Sequence, residues 1–147
     1  MSDSPGSYDS AAASHRALRA IQQELERHPI VTAAQGFPAG EFTQLLAHLE
    51  PERWEIDRDS ATLTVRWFAG ETPNTRPEFS FHYRDERTDF GWHHHEQEHV
   101  DGWGHFQERT GDSGYAYEPH TFPSQKPAQL TWEVMSLLAS KLNAECR

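Results

Sequence analysis

Six of the chain's ten histidines fall between positions 82 and 105: His82, His93, His94, His95, His99 and His105. Imidazole titrates near neutral pH and, when neutral, offers a lone pair to a metal, so this clustering points to proton transfer or to metal binding. Aromatic residues are threaded through the same stretch, from Trp92 to Phe106, at the spacing of strands rather than of a polyhistidine tail.

Two chemistries suit such a group. The first is acid–base cleavage of an RNA phosphodiester. It needs one imidazole as base, another as acid, and a permanent cation for the charge that builds on phosphorus. Here the spacing nominates His82, His93 and His95 as the proton-handling set and Arg84 as the phosphate clamp, with Arg66 and His105 in support. That mechanism needs no metal or other cofactor. The second is a metal site, for which His93-x-His95 puts two imidazoles on one strand face and His99, His82 or His105 supplies a third. Cysteine pairs, a Walker loop and a dinucleotide fingerprint are all missing from the chain. The plain alternative is that an exposed sheet face merely carries solvated histidines.

These side chains need elements to hold them. Leu18, Ile21 and Leu25 recur at helical spacing between Ala11 and His28, and Pro29 ends the run. Phe42, Leu45, Leu46 and Leu49 fall at i, i+3, i+4 and i+7, which predicts a second short helix closed by Pro51. The period then becomes two. Trp54 and Ile56 lead through a turn into Leu63, Val65 and Trp67, the pattern of a hairpin. Phe79, Phe81 and Tyr83 form the next alternating run, then Phe90 and Trp92, then segments at Trp103–Glu108 and Tyr115–Glu118. Pro127 opens a last helix with Leu130, Val134, Leu137, Leu138 and Leu142 as its buried stripe. The expectation is an α+β fold: an antiparallel β-meander with N-terminal helices and a C-terminal helix packed on one face. Residues 1–10 read as a disordered tail and 11–147 as one domain.

Side chains at i and i+2 share a face of a strand. If the aromatic residues point to the core, Arg66, His82, Arg84, His93, His95 and His105 converge on the opposite face. His94 follows Trp92 inward as a hydrogen-bonded core or boundary residue, and His15, His28 and His48 read as solvated or boundary positions.

Composition sets the outer bounds. The net charge is -10, and only Lys126 and Lys141 among the 13 basic residues are lysines. Acidic excess with scarce lysine resembles the proteins of salt-loving archaea. It would ordinarily argue against nucleic acid as a partner, but at molar salt the Debye length is only about 3 Å and local charges decide. No apolar run approaches the roughly 20 residues of a membrane span. The first residues lack the apolar segment of a signal peptide, and a lone Cys146 permits no internal disulfide. A cytoplasmic protein is expected.

From about Pro77 onward the chain resembles the small toxins of the TumE type found in toxin–antitoxin pairs. The residues that carry this are Phe81-His82-Tyr83, the run Phe90 to His95, then His120-Thr-Phe-Pro123, and the closing Leu130 to Leu142. Histidines that the family places directly after its Phe-Pro are replaced here by Ser124-Gln-Lys126. The resemblance implies a growth-inhibiting endoribonuclease, RNA as substrate and an antitoxin protein as partner. The alternative of a different class is a non-enzymatic metal-binding or protein-interaction domain.

Overall fold

The computed structural model of the protein describes residues 7–96, 102–109 and 114–145. A first helix, α1 (Ser10–Glu26), precedes seven strands, and a second, α2 (Pro127–Glu145), follows them. The strands are β1 (Val31–Phe37), β2 (Gln44–Leu49), β3 (Ala61–Phe68), β4 (Glu78–Arg84), β5 (Asp89–His94), β6 (Gly104–Arg109) and β7 (Tyr115–Pro119). They form one sheet in chain order, each antiparallel to its neighbour. The fold is α+β.

Alternation explains how the sheet is covered. Leu63 and Val65 of β3, Phe81 and Tyr83 of β4, and Phe90 and Trp92 of β5 are buried in one cluster with Leu18 and Ile21 of α1 and Leu130 and Leu138 of α2. The helices therefore share one face of the sheet and leave the other open. Asp9 caps α1 by accepting from the backbone N–H groups of Ala11 and Ala12 at 3.0 and 3.2 Å. That satisfies two of the donors every helix start leaves orphaned. Asp9 and Ser10 thus belong to the helix rather than to a disordered tail, while residues 1–6 lie outside the described residues. No helix among the described residues is long and apolar enough to cross a membrane.

Three local expectations change. Residues 42–49 are not a second helix: Gln44–Leu49 is strand β2, paired with β1 on one side and β3 on the other. Leu45 and Leu49 sit at helical spacing, but Ala47 between them is also buried, and the period is two. An alanine carries little hydropathic weight, so the alternation was hidden behind the leucines. Strand β1 escaped notice for a related reason. Its sequence VTAAQGF has few large apolar residues, and a bulge between Val31 and Ala33 breaks its alternation. Finally, Pro51–Trp54 forms a 3-10 turn, so the hairpin partner of β3 is β2 and not the Trp54–Ile56 segment.

The β4–β5 hairpin positions most of the histidines, and Asp85 pins it. One carboxylate oxygen accepts from the Arg87 and Thr88 N–H groups at 2.8 and 2.7 Å. The other accepts from Tyr83 Oη at 2.6 Å and pairs with the buried Arg58 at 3.3 Å. Burial followed by the Asp85 contact pushes the Tyr83 phenol far above its usual range. It therefore stays a hydrogen-bond donor at any working pH.

Candidate metal centre

On the open face, register assembles what alternation had only aligned. Arg66 of β3 lies opposite Ser80 of β4, Ser80 opposite His93 of β5, and His93 opposite His105 of β6. Two residues along the strands, Thr64, His82 and Gly91 make a second row. Directly opposed residues of antiparallel strands hold their Cβ atoms about 5 Å apart, so each row is a line of side chains in contact.

His95 follows the end of β5, but its backbone N–H still donates to the Trp103 carbonyl at 3.0 Å, which holds it over β6. His93 and His105 stack, with ring centroids 5.3 Å apart and planes 13° from parallel. His95 meets His105 edge-on at 5.1 Å. One ring nitrogen from each of His93, His95 and His105 lies within 4.8 Å of the other two. His105 is 0% exposed, and neither of its ring nitrogens has a hydrogen-bond partner among the described residues. Gln107 and the Trp103 backbone lie near enough to favour its protonated form without reaching hydrogen-bond geometry.

Hydrogen bonds decide which nitrogens are free. His95 Nδ1 faces the Glu96 carbonyl at 3.0 Å; a carbonyl only accepts, so Nδ1 carries the proton and Nε2 the lone pair. His82 Nε2 donates to Asp89 Oδ1 in a short contact. In neutral His82 the other nitrogen, Nδ1, must then accept, and its partner at 3.2 Å is His93 Nε2. His93 Nε2 is therefore the donor, and its Nδ1 keeps the free lone pair. A chain Asp89–His82–His93 thus fixes the tautomer of one member of the triad, the arrangement by which proteins orient metal-ligating imidazoles.

Asp89 anchors that chain. Beyond His82 it accepts from Tyr115 Oη at 2.8 Å, from Arg84 Nε at 3.2 Å and from Arg109 Nε at 3.4 Å. Burial alone would raise its pKa, but hydrogen bonds from His82 and Tyr115 and the nearby positive charge bring it down to about 2. The imidazole pKa values are lowered as well, which for these groups favours the uncharged form. Burial, and then the proximity of His82, His105, His95 and Arg66, lowers His93 to about 3. Burial also lowers His82 and His105 below the usual histidine value. At neutral pH these rings are neutral, and neutral imidazole is the form that binds metals.

Gly91 makes the geometry achievable. A Cβ at this position would sit 2.6 Å from His82 Nδ1 and 2.6 Å from the Phe81 carbonyl oxygen. Only a bare backbone lets the His82 ring lie across β5 to reach both Asp89 and His93.

No protein-family model, curated protein or solved structure matches the chain. The site therefore has to be read from its own chemistry.

The residues nominated from sequence are distributed as follows. Arg66, His82, Arg84, His93 and His105 stand on the open face, with His95 leaning over it from the end of β5. Arg84 is tied to Asp89, whereas Arg66 makes no ion pair among the described residues. The third histidine beside His93 and His95 is His105; His99, nominated for that role, lies outside the described residues. His94 is buried on the core side, where it hydrogen-bonds the Pro77 carbonyl at 2.7 Å and stacks on Phe79. His120 stands apart from the group, 3.7 Å from Glu133. Sequence reasoning missed Asp89 and Arg109, and with them the part Tyr115 plays in holding Asp89. Strict alternation from His93 back through Gly91 would have put Asp89 on the site face. The chemistry drew attention to histidines and arginines, and the carboxylate that organises them was passed over.

Proposed function

We propose that this protein is a metal-binding domain holding a zinc-class divalent ion on the open face of its sheet, with His93, His95 and His105 as ligands. The observation that carries the reading is the convergence of three imidazole nitrogens within 4.8 Å, one of them on a fully buried ring with no other partner among the described residues. A buried polar group without a partner costs on the order of 1–3 kcal/mol. Metal ligation removes that cost. Three histidines leave a fourth position for water or a substrate atom, the pattern of catalytic rather than structural zinc. An ion held there would supply Lewis acidity at that open position.

The test is elemental analysis of untagged protein purified without an immobilised-metal column. About one transition-metal ion per chain is expected, falling to background in a His93→Ala/His105→Ala double variant. Wild-type protein that stays metal-free after equilibration with zinc and desalting would overturn the proposal.

A second reading keeps one observation of its own. The Asp89–His82 pair is an oriented imidazole that shares a cavity with Arg66 and His93, an arrangement suited to metal-independent, toxin-like cleavage of RNA in a cytoplasm of high salt, with an antitoxin protein as partner. RNA cleavage that survives chelation and is lost in His82→Ala would favour it, assayed at both low and molar potassium chloride.

A further inference from the structure

Two cavities flank the histidine triad and meet along the row that contains it. The smaller, of 270 Å³, runs over Thr62, Thr64 and His82; the larger, of 650 Å³, extends past Phe68 and His95. Arg66, Ser80, His93 and Gln107 line both. The larger volume lies within the range of roughly 300–1,000 Å³ typical of small-molecule sites.

The charge in the smaller cavity runs against the rest of the molecule, whereas Glu78 lines the larger one. The chain carries 23 carboxylates against 13 basic side chains, yet no Asp or Glu lines the smaller cavity, whereas Arg66 and Arg84 both do. On this face Arg84 and Arg109 are held by Asp89, whereas Arg66 is in no ion pair among the described residues. Neighbouring strands lie about 4.8 Å apart, so Arg66 starts two strands, on the order of 10 Å, from His93. A guanidinium on its long stem and an ion on the triad can therefore face each other across Ser80. Hydroxyls from Thr64 and Ser80 and the Gln107 amide supply further donors around the gap.

We propose that these joined cavities bind a small phosphate monoester, with its phosphoryl oxygens between Arg66 and the metal and its organic part directed toward Phe68. The contact with the metal rests on the reading of the triad given above; the Arg66 pocket does not. A planar guanidinium with flanking hydroxyls offers more donors than a flat carboxylate has acceptors, whereas a tetrahedral dianion can use them. Phe68 is a large apolar side chain, 43% exposed at the rim of the larger cavity, and it gives the organic part an apolar surface. A polynucleotide fits less well. It depends on several phosphate contacts along a basic track, and here Arg66 and Arg84 alone among the described residues bring positive charge to the two cavities, on a chain of net charge -10.

Calorimetric titration tests this. Zinc-equilibrated and chelator-treated proteins are each titrated with phenyl phosphate, inorganic phosphate, acetate and a short oligoribonucleotide, and zinc content is measured on the same samples. Phenyl phosphate should bind best and inorganic phosphate next, with acetate weak. Arg66→Gln should weaken both phosphates by about 10- to 100-fold, as expected for loss of a charge-assisted hydrogen bond, while zinc content is unchanged. Phe68→Ala should bring phenyl phosphate down to the level of inorganic phosphate. Stoichiometric zinc with no phosphate binding, or binding indifferent to Arg66, overturns the proposal and leaves the metal reading intact. Acetate equal to phosphate, or an oligoribonucleotide tighter than phenyl phosphate, overturns the assigned ligand class. Arg66-dependent phosphate binding to a protein that takes up no zinc overturns the metal reading and upholds the pocket.

Discussion

His93 and His105 lie directly opposite each other across the β5–β6 ladder, their rings stacked 13° from parallel, and His105 is closed off from solvent by that contact and by His95. Packed this tightly, the three imidazoles have no hydrogen-bonding use for their free lone pairs among the described residues. They do have a use if an ion sits among them.

Removing one ligand should show this directly. His105→Ala is expected to weaken zinc binding by at least about 100-fold, because two imidazoles rarely retain an ion that needs three protein ligands. Competition with a chromogenic zinc chelator measures it. His120→Ala, a histidine outside the group, is the matched control and should bind as the wild type does.

The Asp89–His82–His93 chain makes a separable prediction. Asp89→Asn and His82→Ala leave all three ligands in place but release the tautomer of His93. Loss of such outer partners typically costs 10- to 100-fold in metal affinity. Affinities equal to the wild type in both variants would show that the chain does not orient the ligand.

Acid stability follows from the same packing. His82, His93 and His105 have folded-state pKa values below the ordinary value of about 6.5, His93 near 3. Between those limits the unfolded chain binds more protons than the native state, so stability increases with pH across the window. It should be full above about pH 6.5 and fall as the pH is lowered toward 3. Asp89, held near 2 against an ordinary carboxyl of about 3.9, adds stability that is present above 3.9 and lost as the pH falls through 2. Urea midpoints of metal-free protein, measured from neutral pH down to about 4, should decline throughout. The decline should be shallower in His93→Gln.

Gly91→Ala tests close approach. The added methyl meets His82 Nδ1 and the Phe81 carbonyl at 2.6 Å, and the carbonyl belongs to a paired strand that cannot move away cheaply. A destabilisation of about 1–3 kcal/mol is expected, as for other overpacked positions, together with weaker zinc binding because His82 is displaced. Chemical denaturation and the chelator competition read the two effects independently.

The hairpin support lies away from the site. Asp85→Ala removes the carboxylate that pairs with the buried Arg58 at 3.3 Å and accepts from Tyr83 Oη. Breaking one side of a buried ion pair typically costs about 3–5 kcal/mol. A much smaller loss in the urea midpoint would mean that Arg58 finds another partner.

Local pattern was enough to read much of this protein. The periods of 3.6 at Leu18–Leu25 and Leu130–Leu142 are realised as α1 and α2, and the period of two at Leu63–Trp67, Phe79–Tyr83 and Phe90–Trp92 as β3 to β5. That same period placed Arg66, His82, Arg84 and His93 together on the open face, because a pleat sends alternate side chains to opposite sides whatever the strand pairs with. It failed at Gln44–Leu49, where leucines at i, i+1 and i+4 satisfy a helix while Ala47 satisfies a strand, and pairing with β1 and β3 settled the matter. The site itself was decided by register, which depends on hydrogen bonds between segments distant in sequence. Register set His93 opposite His105, and with it the ladder that holds His95 over them. It also brought Tyr115 and Arg109 to Asp89, a carboxylate 16 residues before His105 whose role is not visible in its spacing. Histidine content pointed to metal or proton chemistry; only the pairing of β4, β5 and β6 determined which imidazoles share a centre and which one a carboxylate orients.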